Sequence, residues 1–200
     1  RLIRLAEQNE GWALGFVDEV WWSRFAQPKM HAWASPDRSL RLVERKAAPG
    51  DEDPKALACY GAYLPRSKPT ESDMLLRFVE GRPVSGVTTV FLEWVCRRLA
   101  ERSVRVWVLI WDRASWHLSH KVRDWIARHN RKVKREGGVR ILACALPSKS
   151  PWLNPIEPKW LQGKRAVCEP DGDLSPEVLI ERVHTYYGSE QVAPIEQETA

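Results

Sequence analysis

The sequence predicts a mixed α/β domain, one sheet with helices packed on its faces. Two short apolar runs, Trp12 to Glu19 (WALGFVDE) and Val104 to Trp111 (VRVWVLIW), have the density of buried strands. Apolar residues recur at helical spacing in 87–102 and again in 119–136. Strand signals dominate the first third of the chain, and strands then alternate with helices.

In chain order, WALGFVDE reads as a buried strand that ends on two carboxylates, Asp18 closing it. Met30 to Ser35 and Leu40 to Lys46 read as further strands around the turn signal Ser35-Pro36-Asp37-Arg38. The stretch 48–55 is a loop, Ala56 to Leu64 (ALACYGAYL) a strand, and 65–73 a second loop. Val87, Val90, Phe91, Trp94, Val95 and Leu99 form the inner face of a helix to about Arg102. The run 104–111 is a central strand that stops at Asp112. A basic helix spans 119–136, with Val122, Trp125, Ile126, His129 and Val133 inward, and Gly137-Gly138 ends it. Val139 to Ala145 is a strand, 146–154 a loop, and a short helix runs to about Lys164. Ser175 caps a last helix to Tyr187, with Pro176 at its first position. The expected organisation is 1–10 as the end of a preceding helical segment, 11–187 as the domain, and 188–200 as a frayed tail.

The 200 residues suffice for one domain with its own core, and 44% hydrophobic with 28% charged residues excludes a wholly disordered chain. The longest uninterrupted apolar run, Val106 to Trp111, is far shorter than a membrane span, and no signal-peptide pattern is visible. Cys59, Cys96, Cys144 and Cys168 form no Cys-x-x-Cys pair, so neither a zinc ribbon nor a disulfide framework is expected. Cys96 and Cys144 read as small buried hydrophobes, and a reducing cytoplasm fits. The chain opens on Arg1 rather than Met, and is expected to be part of a longer protein.

Two features of composition are unusual, 11 Trp and a net charge of +5. The charge is local. Residues 1–96 are neutral, 97–140 carry 13 Lys and Arg against 4 Asp and Glu, and 141–200 are net acidic. A basic segment of this kind raises the expectation of nucleic acid as partner.

Asp18 and Asp112 each close an apolar strand, and Glu157 opens the helix after Asn154-Pro155. If the two strands are neighbours, all three carboxylates reach one end of the sheet. Crowded carboxylates repel unless a cation sits among them, and Mg²⁺ or Mn²⁺ suits such oxygen donors. Two ions of that kind can clamp both oxygens of a phosphodiester displacement. The plainer reading is a turn residue for each Asp, and a capping box for Asn154 and Glu157. Pro158, following at once, strains the cap. His117 and His120 form a His-x-x-His pair, a weak zinc signal without a third ligand nearby.

Three strings carry a family resemblance: Phe16–Arg24 (FVDEVWWSR), Leu109–His117 (LIWDRASWH) and Ser150–Trp160 (SPWLNPIEPKW). They resemble the bacterial insertion-sequence transposases of the mariner-related branch of the DDE superfamily endonucleases, over about Gly11 to Tyr187. The resemblance implies a ribonuclease-H-like fold, a mixed sheet flanked by helices. It implies Asp18, Asp112 and Glu157 as catalytic, metal-binding carboxylates around two Mg²⁺ (or Mn²⁺) ions. It implies a metal-activated water that cuts a strand of double-stranded DNA at a transposon end. The freed 3′-hydroxyl then attacks target DNA, with no covalent protein–DNA intermediate. It further implies a homodimer on paired ends, although no residue here shows an interface, and a bacterial cytoplasm with nucleoid association on DNA.

The sequence departs from the family pattern at Arg113, where Asn is usual. An Arg there competes with cations or contacts a DNA phosphate. Arg113, Lys121, Arg128, Arg131, Lys132, Lys134, Arg135 and Lys149 are the expected DNA-binding residues. Glu19, His117 and Asn154 are expected to support the site, with Glu19 pointing away from Asp18. The helix-turn-helix that reads transposon ends in the family has no counterpart in this sequence. A non-catalytic DNA-binding remnant and a ribonuclease-H-type nuclease are the alternatives. Trp21, Trp22, Trp111, Trp116, Trp152 and Trp160 lie within a few residues of the three carboxylates, and several are expected to wall the site.

Overall fold

A computed structural model describes residues 2–25, 49–65, 72–148, 150–167 and 174–196. The strands expected at 30–35 and 40–46, together with Lys149 and Cys168, lie outside the described residues. Helix α1 (Leu2–Gln8) leads into β1 (Trp12–Ser23), then β2 (Ala56–Tyr63) and β3 (Met74–Val79). These are followed by α2 (Ser85–Glu101), β4 (Val106–Trp111), α3 (His120–Glu136) and β5 (Arg140–Ala145). A 3₁₀ turn (Pro151–Leu153), α4 (Ile156–Val167) and α5 (Pro176–Tyr187) complete the order.

The sheet has the order β3-β2-β1-β4-β5. β1, β2 and β3 pair antiparallel, and β1, β4 and β5 pair parallel. The chain winds outward in both directions from β1, so the topological switch lies between β1 and β4. Open α/β sheets bind ligands beyond the carboxyl ends of the strands at such a point.

Strand alternation sorts the core into two layers. Val17, Tyr60, Trp107, Leu109 and Trp111 join Phe91, Leu92, Val95 and Leu99 of α2 and Val122 of α3. Phe16, Val20, Trp22, Val108 and Ile110 join Ile156 and Trp160 of α4 and Leu179 and Val183 of α5. β4 is buried over Trp107–Trp111, so its apolar run feeds both layers and explains its lack of alternation.

Several sequence expectations need correction. β1 runs on to Ser23, so Asp18 lies mid-strand; what ends near it is the pairing with β4, which stops at Phe16. β3 falls in a stretch assigned no strand, although Met74, Leu75, Leu76, Phe78 and Val79 are all buried. Val90 points outward, 40% exposed, on an otherwise buried face of α2. Cys144 is only half-buried, because β5 is an edge strand. Residues 189–196, expected to fray, instead run back along β3. Ile195 is buried; its N–H donates to Phe78 O (2.8 Å) and its carbonyl accepts from Glu80 N–H (2.9 Å).

Ser175 caps α5 as expected, accepting from Val178 N–H, and Ser119 caps α3 in the same way, accepting from Val122 N–H. The αL residue Gly188 ends α5.

Candidate active site

The register of β1 and β4 carries the first two carboxylates to the same end of the strand pair. The last aligned pair is Phe16 with Ile110, and two residues beyond each stand Asp18 and Asp112. Both lie at the switch point, where β4 ends and β1 continues with only β2 beside it.

Asp18 faces the α4 side. Trp160 of α4 lays its indole over Gly61, the β2 residue opposite Asp18, and donates Nε1–H to Asp18 Oδ2 at 3.1 Å. A Cβ at position 61 would overlap the Trp160 six-membered ring, so this close approach requires glycine. Burial pushes the Asp18 carboxyl up to about 8. The negative charges of Glu19 and Glu157 add to the rise, and the Trp160 hydrogen bond opposes it.

Glu157 therefore comes close enough to Asp18 to repel it, at the first turn of α4. The capping-box reading does not hold. Asn154 is buried, yet its Oδ1 accepts no hydrogen bond, and Glu157 N–H instead meets the Asn154 backbone carbonyl (3.1 Å).

Glu19 points to the opposite face from Asp18, as alternation requires. There it accepts from His117 Nε2 at 2.7 Å. His117 Nδ1 meets Asp112 Oδ1, also at 2.7 Å. With an ionised carboxylate on each nitrogen, the ring donates from both in its imidazolium form. Burial alone would depress its pKa, but the bonds to Asp112 and Glu19 outweigh this and raise it to about 9. The ring stacks on Trp111, with centroids 4.6 Å apart and planes 8° from parallel, and meets the edge of Trp116. This stacking favours a cationic ring. The His117 hydrogen bond holds the Asp112 carboxyl below the usual carboxylate range, helped by Ala114 N–H donating to the same Oδ1 (2.9 Å). Both donors use Oδ1, which leaves Oδ2 of this half-exposed side chain turned to other work.

Four of the six Trp residues expected near the site are in its framework. Trp160 touches Asp18, Trp111 and Trp116 hold His117, and Trp22 packs edge-on against Trp160. Trp152 and Trp21 are exposed, at 75% and 46%. Among the expected DNA-binding residues, Arg113, Lys121, Arg128, Arg131, Lys132, Lys134 and Arg135 are all exposed. Those on α3 run away from the carboxylates, so Lys134 lies roughly 20 Å along the helix from its start. His120 meets Arg123, not His117, so the His-x-x-His zinc reading has no geometric support. Sequence reasoning missed Tyr60, Thr88 and Gly61. For Tyr60 and Gly61 the signal was available in ALACYGAYL, where a phenol and a glycine stand next to each other in the middle of an apolar strand.

Among the described residues, no three carboxylate, imidazole or thiol groups stand together as a ready-made metal cage. The donor chemistry still suits a hard divalent cation, because the coupled pair Asp18 and Glu157 offers carboxylate oxygens whose repulsion a cation would relieve. Among the described residues no helix is long and apolar enough to cross a membrane.

Asp18 and Asp112 stand two residues past the last aligned pair of β1 and β4, and Glu157 stands in the first turn of α4. The family model for DDE superfamily endonucleases matches residues 14–171, and the chain belongs to that family. Among solved structures, the chain is similar to a Mos1 transposase paired-end complex with the left transposon end. There, identity is 16% and TM-score 0.63, over 95% of this chain and 52% of that one. It is also similar to the Mos1 mariner paired-end complex with Mn (14%, 0.61, 94% and 51%) and to that with Mg (14%, 0.62, 93% and 51%). These likenesses establish the ribonuclease-H-like fold. The chain spans about half the length of the transposase chains it matches. Comparison with curated protein sequences returns no match.

Proposed function

We propose that residues 11–187 form the catalytic domain of a transposase. It cuts double-stranded DNA at transposon ends and joins the freed 3′ ends to target DNA. Asp18, Asp112 and Glu157 would hold two Mg²⁺ or Mn²⁺ ions. The observation that carries this reading is the register of β1 and β4, which brings Asp18 and Asp112 to the same end of the pair, with Glu157 close enough to Asp18 to repel it. Membership of the DDE endonucleases and the Mn and Mg forms of the Mos1 complexes support the same choice of ions.

Held by Asp18, Asp112 and Glu157, such ions would supply an activated water and charge stabilisation for phosphodiester displacement. The chain's own residues do the positioning. Trp160 orients Asp18 through Oδ2, and His117 with Ala114 N–H fixes Asp112 through Oδ1. The exposed cations of α3 supply phosphate contacts that are independent of sequence. No protein nucleophile is needed, so catalysis rests on preorganised charge. The protein would work wherever its DNA lies, a bacterial cytoplasm by this reading, and as a homodimer on paired ends.

The test is nicking of supercoiled DNA with Mg²⁺ or Mn²⁺, beside Asp112→Ala. Metal-dependent nicking that vanishes in the variant supports an enzyme. A second reading, a DNA-binding domain without catalysis, is favoured by the exposed cation Arg113 directly after Asp112. Salt-sensitive binding with no nicking under either metal would establish that reading instead. Preference for an RNA–DNA hybrid would point to a ribonuclease-H-type nuclease.

A further inference from the structure

Asp112 differs from the other two candidate carboxylates in lacking a secondary element of its own. Asp18 is fixed by β1 and Glu157 by α4, but Asp112 stands in the loop after β4. Left alone, a half-exposed carboxylate there would sample several rotamers. The structure supplies a polar chain that prevents this, running inward through the layer between the sheet and α2. Asp112 Oδ1 meets His117 Nδ1, and His117 Nε2 meets Glu19 Oε1, each at 2.7 Å. Glu19 lies opposite Tyr60 on β2, and the Tyr60 hydroxyl donates to Thr88 Oγ1 at 2.8 Å. Thr88 in turn bonds Val84 O at the start of α2 (3.1 Å). The side chain of His117 is fully buried and that of Glu19 is 7% exposed.

We infer that His117 and Glu19 are positioning residues for Asp112. The inference rests on the reading of Asp112 as a metal-binding carboxylate and adds how that carboxylate is held. Three observations favour this over a purely structural role. Burying an ion pair is seldom worth its desolvation, so a plain packing site would be filled more stably by apolar side chains. The chain ends on a half-exposed oxygen pair at the switch point, not on another buried group. Both hydrogen bonds to Asp112 fall on Oδ1, a selectivity that orients Oδ2. Hydrogen-bonded partners of metal-binding groups commonly carry a factor of ~10–100 in metal affinity or activity.

The experiment measures Mn²⁺ binding by electron paramagnetic resonance, and Mn²⁺-dependent nicking, on the whole chain. The variants are Asp112→Ala, His117→Gln, Glu19→Gln and the doubles of the last two with Asp112→Ala, with melting temperatures beside them. His117→Gln and Glu19→Gln are expected to weaken Mn²⁺ binding ~10–100-fold and to raise the Mn²⁺ needed for half-maximal nicking by a similar factor. In the Asp112→Ala background they are expected to add nothing. Parent-like Mn²⁺ binding in both variants overturns the inference. So does an undiminished effect in the Asp112→Ala background, because the residues would then act through something else. If Asp112→Ala itself binds Mn²⁺ like the parent, the underlying reading of Asp112 fails, a separate outcome. Should His117→Gln not fold, Glu19→Gln decides, since it keeps the shape of the side chain it replaces.

Discussion

Trp160 contributes to the core and to the site at once. Its ring fills the space over Gly61 in the α4 layer, and its one polar atom reaches Asp18. Arg113 is the residue whose replacement is most informative. It is an exposed cation beside a carboxylate that would share a divalent ion. Arg113→Asn is expected to lower the Mg²⁺ concentration for half-maximal cleavage, since a fixed positive charge is removed from the neighbourhood. Equal cleavage by both proteins across a metal titration would sink that expectation. His184 provides a pH test away from the site. It is buried, Nδ1 meets Ser189 Oγ at 2.9 Å, and Nε2 has no partner. Burial lowers its pKa, against a smaller opposing contribution from the Ser189 backbone. The fold thus holds His184 neutral while the unfolded chain takes up the proton. Its contribution to stability is complete above pH ~6.5 and is lost as pH falls below that value. Melting temperatures between pH 7 and 5 should fall less steeply for His184→Gln than for the parent, and parallel curves would disprove this.

At the scale of elements, α3 separates its two jobs by face. Only Val122 is fully buried, with Trp125, Ile126, His129 and Val133 half-buried, and the cations all point outward. The sequence pattern predicts this face correctly because helical periodicity is local. The helix is also pinned from below, where Asn130 bonds Ile141 of β5 through both its amide groups and His129 meets Val139 O. Its outer face can therefore be changed without unfolding it. Arg131→Gln, Lys132→Gln and Lys134→Gln together are expected to weaken binding to DNA of any sequence. The slope of log K against log salt should flatten by about 0.9 for each phosphate that is no longer neutralised, with each substitution changing stability by less than about 0.5 kcal/mol. An unchanged salt slope would show that this face does not meet DNA.

For the whole molecule, the final segment closes the sheet at its β3 edge. Ile195 is 2% exposed and makes backbone bonds to Phe78 and Glu80, while Glu190 pairs with Arg98 of α2. Ending the chain after Gly188 would uncover an apolar edge strand and remove one buried isoleucine with two hydrogen bonds. A loss of about 2–4 kcal/mol is expected from that burial and bonding. Urea unfolding of the truncated and full chains measures it. Concentration-dependent association of the truncated chain is expected as well, since a bare edge invites pairing. Equal urea midpoints would mean that the segment does not stabilise the fold.

The sequence alone determined what depends on near neighbours. It located β1, β2, β4, β5 and the helices, because apolar periodicity and capping residues act within a few positions. The candidate carboxylates Asp18, Asp112 and Glu157 were named on the same grounds and on family resemblance. It missed β3, whose six residues are apolar on both faces apart from Arg77 and so carry no alternation to read. It misjudged the tail, because the value of Ile195 to the fold exists only where β3 offers it an edge. Tertiary structure decided the rest. The parallel register of β1 with β4 carries Asp18 and Asp112 to the same end of the pair across 94 residues of sequence. The joining of Glu19 to Asp112 through His117, and of Trp160 to Asp18, depends on side chains that meet only after the sheet and its two helical layers have formed. No local pattern encodes those distances, because they are set by the packing of whole elements against one another.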